Sequence, residues 1–166
     1  MIKKQIEKIN SSHSLVNFDC GVPELNQFLV KYALQNQNAN SANTYVACEE
    51  DSVIGFYTLA VGSVIHAQAP IRITKGLARH PVPVMILARL AVDKSQHGKG
   101  IGQGLLKDVL LRTAQASDIA GIRALLVHAK DDITRQWYKQ FGFDESPTDP
   151  LHLYLLLKDL KKIFHS

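Results

Sequence analysis

The fold of this chain is restricted most by four glycines at alternate positions: Gly98, Gly100, Gly102 and Gly104. They lie between an apolar run at 84–92 and a leucine-rich stretch with the pattern of a helix. Glycine weakens strands and helices, and inside a helix it costs about 1 kcal/mol against alanine. The run therefore predicts a strand–loop–helix junction at which another group comes close to bare backbone.

Such a junction binds anions, because the first amides of a helix are unpaired and the helix dipole adds positive charge there. Lys99 adds a full charge beside the loop. Two nucleotide motifs are excluded by spacing. No hydroxyl residue follows Lys99 as a Walker loop requires, and Leu105 stands where a dinucleotide fingerprint needs its third glycine. The plainer alternative is that the glycines only let the helix pack tightly on a sheet.

The order of apolar and polar segments predicts β-α-β-β, an irregular stretch, and then β-α-β-α-β-β. This indicates an α/β fold with a mixed sheet flanked by helices, in a single domain over 1–166. A strand at 84–92, a helix at 100–117 and a strand at 121–129 are expected to form a right-handed βαβ unit with parallel strands.

Three local predictions can be checked directly. A helix is expected from about Val22, with Pro23 in its first turn and an apolar stripe that includes Phe28 and Tyr32. The polar stretch 35–43 is expected to be a loop. A helical turn is expected around 73–79, within the irregular segment.

Composition favours a protein without metal or membrane segments. Cys20 and Cys48 stand alone, the seven histidines show no metal-ligand spacing, and no apolar run approaches the length of a membrane span. The start, MIKKQIEKIN, lacks the apolar core of a signal peptide. A cytoplasmic location is therefore expected.

The net charge of +4 is modest, but the charges are unevenly distributed. No Asp or Glu occurs from Ser52 to Val92. A stretch of buried strand would explain this, since acids are rare there anyway. The other explanation is a face for a polyanion, formed by the cations in this stretch, Arg72, Lys75, Arg79 and Arg89.

The segment LAVDKSQHGKGIGQGLL resembles the pyrophosphate-binding segment of the GNAT acetyltransferases, whose pattern is Gln/Arg-x-x-Gly-x-Gly/Ala. The resemblance implies a GNAT fold with a twisted, mostly antiparallel sheet, and acetyl-CoA as co-substrate. His97 stands where that family usually has Gln or Arg. The strand residues implied to face the pantetheine arm are Leu90, Ala91 and Val92, and those implied to hold the pyrophosphate are His97, Gly98, Lys99, Gly100, Ile101 and Gly102.

The stretch QWYKQFGF (136–143) taken alone predicts a helix end with core aromatics. It also resembles the YxxxGF segment of the same family, which implies that the Tyr138 hydroxyl lies near the thioester sulfur. A phenol there can supply a proton to the leaving thiolate. No Glu or His is marked by the sequence as a general base. Asp131, where relatives often have Asn, is expected to cap a helix instead.

Across 14–157 the segments NFDCG, LNQFL, TYVA, GFYTL, KGLARHPVPV, RLAVDKS and WYKQFGF resemble, in order, the GNAT toxins of bacterial type II toxin–antitoxin modules. This implies acetylation of the α-amine of aminoacyl-tRNA, which blocks translation. It also implies a homodimer and a ribbon-helix-helix antitoxin. The acid-free stretch would then meet tRNA phosphates through Arg72, Lys75, Arg79 and Arg89.

Two other functions fit the same residues. One is a GNAT N-acetyltransferase that acts on a protein or small-molecule amine, although an acid-free face would repel polyamines. The other is a non-catalytic acetyl-CoA-binding partner in a regulatory complex. Only an enzyme should depend on the Tyr138 hydroxyl.

Overall fold

A computed structural model describes residues 5–78 and 80–160, so Arg79 lies outside the described residues. The chain divides into two compact units. The first comprises Met1–Ala60 with Ala88–Val109, and the second comprises Val61–Leu87 with Leu110–Ser166. A single domain over 1–166 stays a prediction.

The first unit contains a meander of antiparallel strands, with β1 paired to β2 and β2 paired to β3. A helical segment precedes β2, and the end of β4 leads into α4. The elements are β1 (Ile6–Lys8), α1 (Pro23–Gln27), a π-helical turn (Phe28–Tyr32), α2 (Ala33–Asn38), β2 (Asn43–Glu49), β3 (Ser52–Val64), β4 (Val82–Val92), a 3-10 turn (Lys94–Gln96) and α4 (Ile101–Ser117). Parts of β3, β4 and α4 belong to the second unit.

The helical segment of the first unit begins as predicted, with Pro23 in its first turn, but it ends later. It continues to Asn38, so the predicted loop 35–43 is wrong over its first four residues. The cause is Gln37, whose Nε2 donates to the Ile9 carbonyl at 2.9 Å and whose Oε1 accepts from the Thr44 amide at 3.2 Å. Ile9 lies 28 residues before Gln37, so the polar composition of 35–43 does not reveal this contact.

The apolar stripe on this helical segment is also shorter than predicted. Phe28 is buried against Phe56, with ring centroids 6.2 Å apart, but Tyr32 is 46% exposed. The π-helical turn adds a residue to the helical repeat and so rotates the residues after Phe28 about the helix axis. Tyr32 therefore leaves the buried face.

The second unit contains the parallel pair that the sequence predicted, with β4 beside β5 from Val84↔Ala124 to Leu87↔Val127. β5 also pairs antiparallel with β7, and β7 with β6. The strand order through both units is β1-β2-β3-β4-β5-β7-β6, which is mixed and mostly antiparallel as expected. The remaining elements are a 3-10 turn (His66–Gln68), α3 (Ile71–Thr74), β5 (Ala124–His128), α5 (Asp132–Lys139), β6 (Asp144–Glu145) and β7 (His152–Leu156).

The helical turn in the irregular segment, α3, lies slightly before the predicted 73–79. Ile73 is fully buried and anchors the turn. Arg123 holds the end of it, because its Nε donates to the Ile73 carbonyl at 2.7 Å and its Nη2 to the Lys75 carbonyl at 3.1 Å. Across the described residues, no helix is both long and apolar enough to cross a membrane.

Candidate active site

The glycine loop follows a strand end that is fixed by Asp93. The Asp93 amide donates to the Ile54 carbonyl at 2.8 Å, and its carboxylate accepts from the amides of Asp19 and Ser95 at 2.8 and 3.0 Å. The hydrogen bonds from Ser95 and Asp19 hold the pKa of Asp93 below its usual value against the opposing effect of burial. The end of β4 is therefore tied to β3 and to the N-terminal loop.

Asp19 forms the other half of this anchor. Its carboxylate accepts from Asn26 Nδ2 at 3.0 Å and from the Gly21 amide at 2.9 Å, and it faces Lys94 Nζ at 3.0 Å. These bonds, that of Asn26 first, lower the pKa of Asp19 to about 2. The segment that enters the glycine loop is thus held by an ionised carboxylate at any physiological pH.

Two glycines of the loop adopt left-handed backbone, with φ of +79° at Gly98 and +80° at Gly100. A Cβ added at Gly98, Gly100 or Gly104 would meet nothing within 4 Å. The loop thus faces open space on the side where these side chains would stand. Glycine is required at Gly98 and Gly100 because residues with a Cβ rarely adopt this conformation.

A different glycine, Gly55, allows the tight packing of α4 on the sheet. A Cβ at Gly55 on β3 would lie 3.0 Å from Leu105 Cδ1 and 3.3 Å from both Ile101 Cγ2 and the Ala91 carbonyl. Gly55 is therefore where the helix approaches the sheet. The packing explanation is wrong for Gly98, Gly100 and Gly104.

The N-terminus of α4 presents unpaired amides at this open side. The first helical hydrogen bond joins the Gly104 amide to the Gly100 carbonyl at 3.1 Å. The amides of Ile101, Gly102 and Gln103 precede it and have no intrahelical acceptor. Lys99 is exposed in the loop itself. Amides, dipole and ammonium together favour a bound anion.

The side chain of His97 folds back onto the end of β4. Its Nε2 lies 2.9 Å from the Val92 carbonyl. Because a carbonyl only accepts, Nε2 carries the proton and donates, which leaves Nδ1 without one in the neutral ring. His97 can therefore donate to an anion through Nδ1 only as an imidazolium, whereas a Gln or Arg at this position would donate at any pH.

The three strand residues predicted to face the pantetheine arm divide into two sets. The Asp93 amide donates to the Ile54 carbonyl on β3. The Ala91 carbonyl lies beside Gly55 on the same strand, so it also faces β3. Backbone groups alternate between the two edges of a strand. The amide and carbonyl of Leu90 and the amide of Val92 therefore face the opposite edge, while the Val92 carbonyl accepts from His97.

In the second unit, Tyr138 lies on α5 with its ring buried. It is 4% exposed and packs edge-on against Trp137 and Phe143, with centroids 4.9 and 5.4 Å away. Burial raises the pKa of the phenol well above its usual value, so the hydroxyl stays protonated. Within the described part of the chain, no residue forms a hydrogen bond with this hydroxyl.

Helix α5 is fixed at both ends. Asp131 caps its start as predicted, accepting from the Thr134 amide at 2.8 Å. At the other end, Glu145 on β6 accepts from Arg135 Nη1 at 2.6 Å and from Lys139 Nζ at 3.0 Å. Gly142, at φ +94°, then turns the chain away. These contacts hold the position of Tyr138.

The cap predicts a pH-dependent loss of stability in Asp131→Ala. The hydrogen bond to the Thr134 amide lowers the pKa of Asp131, so its stabilisation is present above the unfolded pKa of about 3.9 and lost as the pH falls through the folded value. We expect the variant to melt below the wild type at pH 7, with the difference shrinking as the pH falls below about 3.9. Asp131→Asn, whose amide oxygen also caps, should lose less at pH 7. Equal melting of Asp131→Ala and wild type at pH 7 would contradict the role of the cap.

The residues predicted to form a basic face differ in what they contact. Arg72 bridges two acids, Asp144 at 3.2 Å and Asp159 at 2.6 Å, which raise its pKa, Asp159 first. Lys75 is exposed. Arg89, in the first unit, has its guanidinium carbon 3.7 Å above the Phe28 ring, and burial lowers its pKa.

Arg89 has no anionic partner among the described residues. Arginine nevertheless stays charged at neutral pH. Contact with the ring uses the face of the guanidinium and leaves its in-plane N–H groups for an acceptor. The site therefore holds a partly buried cation without a described counter-ion.

No sequence signal marks the pair formed by His128 and His152. The two are register partners across β5 and β7, and their rings stack with centroids 4.0 Å apart and planes 15° apart. They are 24 positions apart in the sequence, so only strand pairing brings them together. No group of three or more metal-ligating side chains occurs among residues 5–78 and 80–160.

Comparison with known proteins places these features in one family. The acetyltransferase (GNAT) domain model matches residues 40–145. A tRNA-acetylating toxin of Mycobacterium tuberculosis (strain ATCC 25618 / H37Rv) is 45% identical over 156 residues, which cover 94% of this chain and 93% of the relative.

Two solved structures extend the similarity. AtaT complexed with acetyl-methionyl-tRNAfMet has a TM-score of 0.91 and 27% identity, covering 98% of this chain and 99% of that one. A mutant AtaT bound to the C-terminus of the antitoxin AtaR and to acetyl-CoA has a TM-score of 0.85 and 26% identity, covering 99% and 100%. The chain therefore belongs to the GNAT acetyltransferase family, in the branch of the acetyltransferase toxins.

Proposed function

We propose that this protein is a toxin that transfers the acetyl group of acetyl-CoA to the α-amine of an amino acid esterified to tRNA. The acetylated aminoacyl-tRNA would then be lost to translation. The observation that carries the proposal is the open glycine loop at the start of α4, where Gly98 and Gly100 leave the helix amides accessible. Identity of 45% with a tRNA-acetylating toxin supports the acceptor.

The loop and the end of β4 fit acetyl-CoA. The amides of Ile101 and Gly102, with Lys99, would bind the pyrophosphate, since they combine unpaired donors with positive charge. The free edge of β4 at Leu90 and Val92 would bind the amide groups of the pantetheine arm by strand-like hydrogen bonds. When bound, acetyl-CoA supplies a thioester carbonyl that an amine can attack.

Tyr138 would act at the sulfur. Its buried phenol holds a proton on an oxygen that has no described hydrogen-bond partner, so the proton is available to a ligand atom. Donation from this oxygen to the leaving thiolate would favour departure of CoA. Packing against Trp137 and Phe143 would fix the direction of the donor.

The basic residues would bind the phosphates of the acceptor stem, but with unequal shares. The charge of Arg72 is balanced by Asp144 and Asp159, so Arg72 would contribute least. Arg89 would contribute through its in-plane N–H groups, and Lys75 through its exposed ammonium. Arg79 belongs to the same proposal by sequence.

Charge reversal at two of these positions tests the tRNA face. We expect Arg79→Glu with Arg89→Glu to slow acetylation of tRNA and to lower the slope of log rate against log salt by about 1 for each lost phosphate contact. Lys31→Glu with Lys158→Glu makes the same change in net charge elsewhere and serves as the control. Unchanged rates at three salt concentrations would remove Arg79 and Arg89 from the face.

The proposal includes a partner and a location. A homodimer neutralised by a ribbon-helix-helix antitoxin follows from the resemblance, and the similarity to AtaT bound to AtaR supports an antitoxin. Because its substrate is charged tRNA, the protein would act in the cytoplasm. Mass measurement of the purified protein at several concentrations tests the dimer.

The direct test uses labelled acetyl-CoA with three parallel acceptors: charged tRNA, uncharged tRNA and a protein extract. Label in the charged pool alone is the expected result, and sequencing of the labelled tRNA identifies the amino acid. Label in protein would favour the general acetyltransferase. Label in none of them would favour the non-catalytic acetyl-CoA-binding partner.

A further inference from the structure

The stacked pair of His128 and His152 combines a ring held in place with nitrogen atoms open to a ligand. His128 is exposed, and no described residue hydrogen-bonds to its ring. Both nitrogens of His128 are therefore open to a ligand, while one face of its ring is held by His152, with ring centroids 4.0 Å apart.

The position of His128 on its strand is also specific. The ladder between β4 and β5 ends at Leu87↔Val127, and His128 is the next residue of β5. Its backbone still pairs with His152 on β7, so the residue is held on one side only. His128 therefore stands at the point where β5 loses its parallel neighbour, at the end of the strand rather than within the sheet.

The surroundings keep His128 neutral at neutral pH. Partial burial first, and then the neighbouring His152, lower the pKa of His128, while Asp149 acts weakly in the opposite sense. Two stacked imidazoles do not both accept a proton readily, because like charges at this distance repel. Asp149 Oδ2 lies 3.4 Å from His152 Nε2, on the other ring of the pair. Lys130, two residues beyond His128, is exposed and adds a further cation.

We propose that His128 is the base that takes a proton from the α-ammonium of the bound aminoacyl-tRNA, with His152 positioning its ring. This inference rests on the proposed function. It adds a residue that the sequence did not mark. His128 would be catalytic because it touches the reacting amine, whereas His152 would be a positioning residue.

The protons and electrons balance with the groups already named. His128 removes one proton from the ammonium, which frees the lone pair of nitrogen. The C–N bond forms as the C–S bond breaks, and the electron pair of that bond goes to sulfur. Sulfur takes the proton of Tyr138, and the second proton released from nitrogen restores the phenol. His128 returns its proton to solvent.

The test is a pH profile of His128→Gln in single turnover, with saturating acetyl-CoA and charged tRNA, within seconds so that the ester survives. A free α-amine has a pKa of about 8, so little of it is neutral at pH 6 and most of it is at pH 8.5. We expect the variant to be slower than the wild type by at least about tenfold at pH 6 and by less than about threefold at pH 8.5. A base is needed only where the amine arrives protonated.

His152→Gln is the matched variant on the other strand. It keeps the base but removes a neighbour that lowers the pKa of His128. We expect its acidic limb to move to higher pH and its plateau rate to fall, because the ring of His128 loses the contact that holds it. Titration with acetyl-CoA and thermal melting should give wild-type values for both variants.

The outcomes distinguish the role of His128 from the proposed function. Wild type that labels charged tRNA, together with an equal loss in His128→Gln at every pH, would overturn the role of His128 and leave the proposed function intact. Wild type that labels no charged tRNA would overturn the proposed function and this inference with it. If His128→Gln melts below the assay temperature, His128→Asn takes its place in the same pH comparison.

Discussion

Gly100→Val should abolish acetyl-CoA binding in a calorimetric titration. Gly100 has φ of +80°, which a β-branched residue does not adopt without strain, and its missing side chain faces open space beside the first amides of α4. Valine would change the backbone conformation and so redirect those amides. Its side chain would also occupy the space that the pyrophosphate needs. Because the amides provide most of the proposed contacts to pyrophosphate, we expect the affinity to fall by at least about a hundredfold.

Variants at two other glycines test whether backbone strain alone, or an added Cβ alone, lowers acetyl-CoA affinity. Gly76 in the second unit has φ of +82° and open space around it, so Gly76→Val strains the backbone in the same way without touching the loop. Gly104→Ala adds a Cβ inside α4, where alanine is favoured and nothing lies within 4 Å. Both should bind acetyl-CoA as the wild type does. Normal affinity of Gly100→Val would remove the glycine loop from the acetyl-CoA site.

Tyr138→Phe should keep acetyl-CoA affinity and lose turnover. The substitution removes one hydroxyl that has no described hydrogen-bond partner, so packing against Trp137 and Phe143 is retained. Loss of one proton donor in general acid catalysis lowers the rate by about 10² to 10⁴. We expect kcat to fall within this range at constant KM for acetyl-CoA.

Tyr154→Phe is the matched control, because Tyr154 is also a buried tyrosine of the second unit. It should change neither kcat nor affinity. If Tyr138→Phe lost affinity and turnover in equal measure, Tyr138 would be structural. Normal turnover would favour the non-catalytic acetyl-CoA-binding partner instead.

The elements that the sequence predicted best are those whose signals are local. The start of the first helix is marked by Pro23, and the cap of α5 by Asp131. The parallel pair β4–β5 followed from two apolar runs joined by a helix. In each case the deciding residues lie within a few positions of one another.

The predictions that failed depended on distant partners. The helix continues over 35–38, where the side chain of Gln37 bonds to Ile9, 28 residues earlier in the chain. The acid-free stretch gave no sign of the acids that pair with Arg72, because Asp144 and Asp159 lie much later in the chain. Composition within a segment carries no information about charges that folding brings to it.

The candidate site shows the same division. The sequence by itself determined that bare backbone and unpaired helix amides would meet at Gly98–Gly102, since a strand, glycines and a helix follow one another directly. Only the tertiary structure decided that this backbone is open while Gly55 takes the close contact with α4. It also decided that His128 stacks on His152, because strand pairing joins residues whose separation in the sequence predicts nothing about their distance.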